Sequence, residues 1–164
     1  MCGIVGYIGT HQAAPVLLDG LAKLEYRGYD SAGIAVYDGE KIRMEKAVGR
    51  LKVLEELTQD GATLPGTVGI GHTRWATHGV PSDLNAHPHF NHDHSIVVVH
   101  NGIIENYLKL KKKLAGKGYE FLSETDTEVI AHMLDYYYKG DPLDAISKVM
   151  HRMEGSYGLG IMFR

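Results

Sequence analysis

The sequence predicts the α+β class, with helices packed on antiparallel sheet, and three observations carry that prediction. Segments with strand and helix periodicity come in pairs and do not alternate regularly. Asp38-Gly39 lies between the short apolar run 32–37 and the alternating Ile42, Met44 and Ala47, the pattern of a hairpin. The 164 residues, 44% of them apolar and 23% charged, suit one globular unit that buries roughly 70% of its unfolded surface.

Each element has its own signal. Val5, Tyr7 and Ile8 sit among Gly3, Gly6 and Gly9, a core strand that another backbone or a ligand can approach closely. Leu17, Leu21 and Leu24 fall at i, i+4 and i+7, so residues 13–25 form an amphipathic helix that Gly28 stops. After the hairpin, Leu51, Leu54 and Leu57 mark a short helix ending before Gly61. Strands follow over 68–72 and 95–100, the second with an Ile-Val-Val-Val run suited to burial on both faces. The polar stretch of about twenty residues between them is long for a passive loop in a small domain. Leu108, Leu110 and Leu114 predict a helix with Lys on its other face, and Thr125-x-x-Glu128 reads as a capping box for the next. Asp141-Pro142 opens a helix through Met153, and Tyr157 to Phe163 closes the chain as a strand.

Composition excludes several function classes. Seventeen Lys and Arg against twenty Asp and Glu leave a net charge of −3, and the longest basic run is Lys111 to Lys113. That is no footprint for nucleic acid or an anionic membrane. The start carries no positive n-region and 96–99, among the densest apolar runs, is far short of a membrane span, so an intracellular, cytoplasmic protein is expected. One cysteine forbids an internal disulfide, and 20 glycines exceed the ordinary share of about 7%, a hint of tight turns or a close approach at a site.

Cys2 is informative by its place. If Met1 is removed, one residue owns both a thiol and a free α-amine, with reference pKa values near ~8.5 and ~7.7 to 8.0, so the amine can take the thiol's proton. The bland alternative is an inert cysteine at the start of a core strand. Asn101-Gly102 reads either as a hairpin turn or as a strand end presenting an amide and a backbone N–H, the donor pair of an oxyanion hole. The helical spacing that follows disfavours the turn. Arg74, with Thr77 and His78 after it, suits a substrate carboxylate, or else pairs with a neighbouring acid in a surface loop. Asp126 is either a helix cap or the partner of a substrate ammonium. His87-x-His89 and His92-x-His94 lack an acidic or thiol companion at metal-ligand spacing, so a solvated loop and no metal are expected. Tyr26, Tyr29 and Tyr136 to Tyr138 are expected to be packing and loop-anchoring aromatics.

Six strings then fall in register: Cys2-Gly3-Ile4-Val5-Gly6, Glu25 to Gly33, the Arg74 loop, Asn85-Ala86-His87-Pro88-His89, His100 to Asn106, and Ser123 to Glu128. Together they resemble the glutaminase domain of the glutamine–fructose-6-phosphate aminotransferase (isomerising) family, a class II glutamine amidotransferase. The likeness runs from Met1 to about Phe163. It implies an N-terminal-nucleophile hydrolase fold, a four-layer αββα sandwich of antiparallel sheets, with residues 1–164 as the glutaminase domain and the family's sugar-phosphate isomerase domains absent from this chain. It implies hydrolysis of L-glutamine through a glutamyl thioester, with no cofactor and no metal. The ammonia passes to fructose 6-phosphate, giving glucosamine 6-phosphate, in a full-length homo-oligomer whose synthase domains share the chain.

Carried over residue by residue, the resemblance makes Cys2 the nucleophile and, through its amine, the base. Asn101 and Gly102 match the oxyanion hole. Arg74, with Thr77 and His78, matches the α-carboxylate site, and Asp126 with the Gly102 carbonyl matches the α-ammonium site. Arg27 is a supporting residue beside the nucleophile, and Trp75 lies toward the ammonia exit. Two other classes stay open: a Cys–His hydrolase whose base is His72, His78 or His100, and a non-catalytic glutamine-sensing or metal-binding module that does not depend on Cys2.

Overall fold

Side chains of extended backbone alternate between two faces, and in this chain that alternation decides the layering. The computed structural model describes residues 1–164. The first half folds as β1 (Gly3–Ile8), α1 (Ala13–Ala22), β2 (Ser31–Tyr37), β3 (Ile42–Val48), α2 (Leu51–Thr58) and β4 (Val68–Arg74). The second half folds as β5 (His89–Phe90), β6 (Ile96–Ile104), α3 (Tyr107–Ala115), α4 (Thr127–Tyr137), α5 (Pro142–Met150) and β7 (Gly155–Phe163). One antiparallel sheet has the order β1-β4-β2-β3 and the other β5-β6-β7.

Along β2, Ala32, Ile34 and Val36 pack with Leu17, Leu21 and Leu54 of α1 and α2, while Ala35 turns to the other face. Along β6, Ile96 and Val98 pack with Ile130 and Leu134 of α4 and Val149 of α5, while Val97 and Val99 turn inward. The inward residues of both sheets meet: Ala35, Ile70, Val97, Val99 and Met162 form the core between them. The result is helix, sheet, sheet, helix. Buried apolar area of this kind, at about 25 cal/mol per Å², is the main force holding the layers.

The hairpin forms as expected, Ser31 opposite Val48 and Tyr37 opposite Ile42. Asp141 caps α5, its Oδ1 accepting from Leu143 N at 2.9 Å. Three local readings change. The first helix ends at Ala22, and residues Glu25–Arg27 form a separate 3-10 turn. Asn101 and Gly102 lie inside β6, opposite Gly158 and Tyr157 of β7, so the strand outruns its apolar part. The Thr125–Glu128 capping box does not form, because Glu128 accepts instead from Leu122 N at 2.8 Å, Ser123 N at 2.7 Å and Ser123 Oγ at 2.6 Å.

Candidate active site

β1, β4 and β6 deliver their polar ends to one edge of the inter-sheet layer. Gly3 pairs with Thr73 across β1 and β4, which sets Cys2 against Trp75. Trp75 N donates to Cys2 Sγ at 3.1 Å, and Sγ lies 3.5 Å from Trp75 O. Burial pushes the Cys2 thiol up from its ordinary value; the Trp75 N–H, the N-terminal ammonium and Arg74 oppose burial without cancelling it. The Met1 ammonium donates to Arg27 O at 2.7 Å. While Met1 is attached, the Cys2 nitrogen is a peptide N–H.

From β6, Asn101 Nδ2 donates to Cys2 O at 3.1 Å, and Asn101 Oδ1 lies 2.9 Å from His72 Nε2. Gly102 has φ +124°, and a Cβ there would meet Ser156 O at 2.1 Å, so only glycine fits. At the start of α4, Asp126 is 4% exposed. It makes no side-chain cap; its Oδ2 accepts from Ile104 N at 2.8 Å and stands 4.0 Å from His100 Nδ1. The cap reading is therefore replaced by a buried carboxylate that ties α4 to the end of β6.

Arg74 is buried and pairs with no acid. Its guanidinium donates to Gly79 O at 2.9 Å, to Val80 O at 3.5 Å and to His78 O, which closes the loop after β4 on itself. Thr77 is exposed on that loop, and His78 sits edge-on to Tyr107 at 4.9 Å. Trp75 is 50% exposed and meets the Tyr29 ring at 5.7 Å; Tyr26 points into solvent, against the expectation of packing. Cys2, Asn101, Gly102, Arg74 and Asp126 share one cavity of about 600 Å³. Arg27, Trp75, Thr77 and His78 line it as well, so every expected site residue is brought together.

Residues that hold the loops around the cavity, Asp30 and Lys46, do not line it and were not expected. Asp30 accepts from Ala76 N and from Ser31 Oγ, anchoring the loop after β4. Lys46, from β3, donates to the carbonyls of Leu84 at 3.2 Å, Ala86 at 2.9 Å and Pro88 at 3.3 Å, and burial lowers its pKa to about 8. The solvated histidine loop holds only for His92 and His94. His87 and His89 are buried, their Nε2 atoms 2.8 Å from Thr127 Oγ1 and 3.0 Å from Thr125 Oγ1. No group of three or more His, Cys, Asp or Glu is placed to hold a metal ion.

A family model described as a glutamine amidotransferase domain matches residues 72–164. The chain belongs to that family. It is 62% identical over 162 residues to a glutamine–fructose-6-phosphate aminotransferase (isomerizing) of Caldanaerobacter subterraneus subsp. tengcongensis, covering 99% of this chain and 26% of that protein. It is 55% identical over 160 residues to a protein of that name from Thermus thermophilus, covering 97% of this chain and 26% of the relative. This amidotransferase domain thus spans about a quarter of the length of the curated relatives it matches. Among solved structures, the glutamine phosphoribosylpyrophosphate amidotransferase of B. subtilis, complexed with ADP and GMP, is 30% identical with a TM-score of 0.84. That match covers 99% of this chain and 35% of the other, and the shared architecture is the N-terminal-nucleophile αββα sandwich. No helix of the chain is long and apolar enough to cross a membrane.

Proposed function

We propose that the chain hydrolyses L-glutamine to L-glutamate and ammonia through a glutamyl thioester on Cys2. The observation that carries the reading is the shared cavity of about 600 Å³, which puts one thiol, one amide donor, two guanidinium groups and one buried carboxylate around a space fit for an amino acid. A guanidinium and a carboxylate lining one cavity suit recognition of a zwitterion. Arg74, with Thr77 and His78 beside it, takes the α-carboxylate, and Asp126 with the Gly102 carbonyl takes the α-ammonium.

That orientation sends the side-chain amide toward Sγ. Once Met1 is removed, the freed Cys2 amine takes the thiol proton and the thiolate attacks the amide carbon. Asn101 Nδ2, with one proton on Cys2 O and one to spare, and Gly102 N–H receive the developing oxyanion. The amine returns its proton to nitrogen, the C–N bond breaks and ammonia leaves. Water, deprotonated by the same amine, then attacks the thioester; the C–S bond breaks, the sulfur regains a proton and glutamate departs. Arg27 lines the cavity near the nucleophile as a supporting residue. In a longer protein of its relatives' kind, the ammonia passes by Trp75 to fructose 6-phosphate bound on isomerase domains of the same chain, in a homo-oligomer.

A terminal amine is favoured as base because no imidazole bonds to Sγ. His72 bonds to Asn101 and to the His100 carbonyl, and His100 to Thr127. The test compares a sample whose first residue is Cys2, one that retains Met1, and Cys2→Ala, all verified by intact mass. The first is expected to release ammonia from glutamine, and the other two to fall to background. Equal rates with and without Met1 would overturn the terminal-amine mechanism, and turnover by Cys2→Ala would overturn the thioester.

A further inference from the structure

The buried imidazole of His72 takes no step in the mechanism above, yet it touches the residue on which the oxyanion depends. Its Nε2 lies 2.9 Å from Asn101 Oδ1 and 3.0 Å from His100 O. The carbonyl oxygen can only accept, so Nε2 must carry the proton. That proton decides how the Asn101 amide lies. With Oδ1 toward His72, the NH₂ group faces Cys2, where its Nδ2 donates to Cys2 O at 3.1 Å. Turned by 180°, the amide would set NH₂ against the His72 N–H and its oxygen against the Cys2 carbonyl, two repulsive contacts in place of two hydrogen bonds.

The ring is itself held. His72 is fully buried, and it stacks on His87 with centroids 4.1 Å apart and planes 24° apart. His87 in turn bonds to Thr127 Oγ1 at 2.8 Å, the hydroxyl that also meets His100 Nδ1 at 2.9 Å. The His72 Nδ1 atom has no partner, so nothing on that side competes for the proton. Burial, the largest influence, lowers the His72 pKa to about 3, so the ring stays neutral and keeps this tautomer near neutral pH.

We infer that His72 is a positioning residue for the oxyanion hole: its Nε2–H fixes the Asn101 amide with the donor end toward the reacting carbon. This rests on the thioester reading of the cavity. A donor already aligned stabilises the oxyanion without reorganising, and a free amide would spend part of its time reversed.

Asn and Gln at position 72 separate this role from packing. Both are smaller and polar, but only Gln carries its NH₂ about as far out as Nε2. In a sample beginning at Cys2, His72→Asn is expected to lower kcat by ~10- to 100-fold with the KM for glutamine within about 2-fold of the parent. His72→Gln is expected to recover most of that loss. In the Asn101→Ala background, changing His72 to Asn should alter kcat by less than about 2-fold, because the group it orients is gone. Alkylation of Cys2 by iodoacetamide, which needs no oxyanion hole, should proceed at the parental rate in every variant.

Equal losses in Gln and Asn variants, an undiminished loss in the Asn101→Ala background, or a change carried by KM would overturn the positioning role while leaving the thioester reading intact. An unsubstituted, processed sample that releases no ammonia would overturn both.

Discussion

The layer between the two sheets is apolar at one end and polar at the other, along the same two strands. β4 runs from Ile70 to His72 and Arg74, and β6 from Val97 and Val99 to Asn101. At the apolar end any group of the right volume can serve, because burial is non-directional. At the polar end each group needs one particular partner, often from far along the chain, and an unmet buried polar atom costs about 1–3 kcal/mol. Several unpartnered polar atoms lie at or near that end, His72 Nδ1, His78 Nδ1, His87 Nδ1, His100 Nε2 and Arg27 Nε among them, while the two ring nitrogens of His132 are unpartnered elsewhere, on α4 beside Tyr119 and Phe121. The same sandwich therefore stores its stability at one end of the layer and its chemistry at the other.

Acid should expose that difference most. Burial is the first cause holding His72 at about 3, His87 and His89 well below the usual range, and His100 below it, with Arg74 among the opposing charges and Asp126 and Glu128 among the favourable ones. Unfolded histidines titrate near ~6.5, so below that pH the unfolded chain binds more protons than the folded one. Stability is then complete above about 6.5 and is lost as pH falls, by up to about 1.4 kcal/mol per pH unit for each such ring. Burial acts to raise the Glu128 pKa, but the His132 ring 3.5 Å away and hydrogen bonds from Leu122 and Ser123 outweigh it and hold the group at about 2, which adds to the loss below about 4.5. Urea midpoints measured from pH 7.5 to 4.5 should fall steeply, and less steeply for His72→Gln; a flat profile would deny that these rings are buried neutral.

Two substitutions sharpen the polar side. Asn101→Ala should lower kcat by ~10² to 10³ with little change in KM, since an oxyanion donor acts in the transition state. A change confined to KM would recast Asn101 as a binding residue. Asp126→Asn is milder, because an amide oxygen can still accept from Ile104 N while the charge is lost. It should weaken glutamine binding by about 1.5–3 kcal/mol, the worth of a charged hydrogen bond, measured as a rise in KM. Glutamine analogues lacking the α-amine should not distinguish the Asn variant from the parent; if they do, the carboxylate serves something other than the ammonium.

What the sequence disclosed follows the same division. Strands and helices were legible because apolar periodicity is a local signal: Ile96 to Val99 are almost wholly buried, as their run implied. The cavity residues were legible because Cys2, Arg74, Asn101-Gly102 and Asp126 lie in short strings whose residue types carry chemistry. What stayed hidden depends on distant partners. His87 and His89 look solvated beside His92 and His94, yet the short β5 sets His89 against Val98, and their hydroxyl partners lie 40 and 36 residues away. Lys46 carries no local signal of its role, because the carbonyls it meets lie some forty residues on. Glu128 fits a capping box by spacing, but Ser123 and Leu122 offer it more donors than a helix end would.

The smallest effect tests the apolar end on its own terms. Val99 is fully buried in the inter-sheet core and stands opposite Gly160 of β7. A Cβ added at Gly160 would meet Val99 Cγ2 at 2.7 Å, but only Ile4 and Ile70 at 3.7 and 3.8 Å beyond it. The glycine thus makes room for one methyl group of the valine. Val99→Ala should cost about 2 kcal/mol in urea unfolding, from lost transfer energy and the space left behind. Gly160→Ala should cost about 1–3 kcal/mol from overpacking. Made together, the new methyl fills the space the old one left, so the pair should cost less than the sum by roughly 1–2 kcal/mol, with kcat for glutamine unchanged in all three. Strict additivity would mean that the sheets shift apart rather than exchange volume. A change in kcat would mean that the two ends of the layer are mechanically coupled, and that the polar site is not held by its own hydrogen bonds alone.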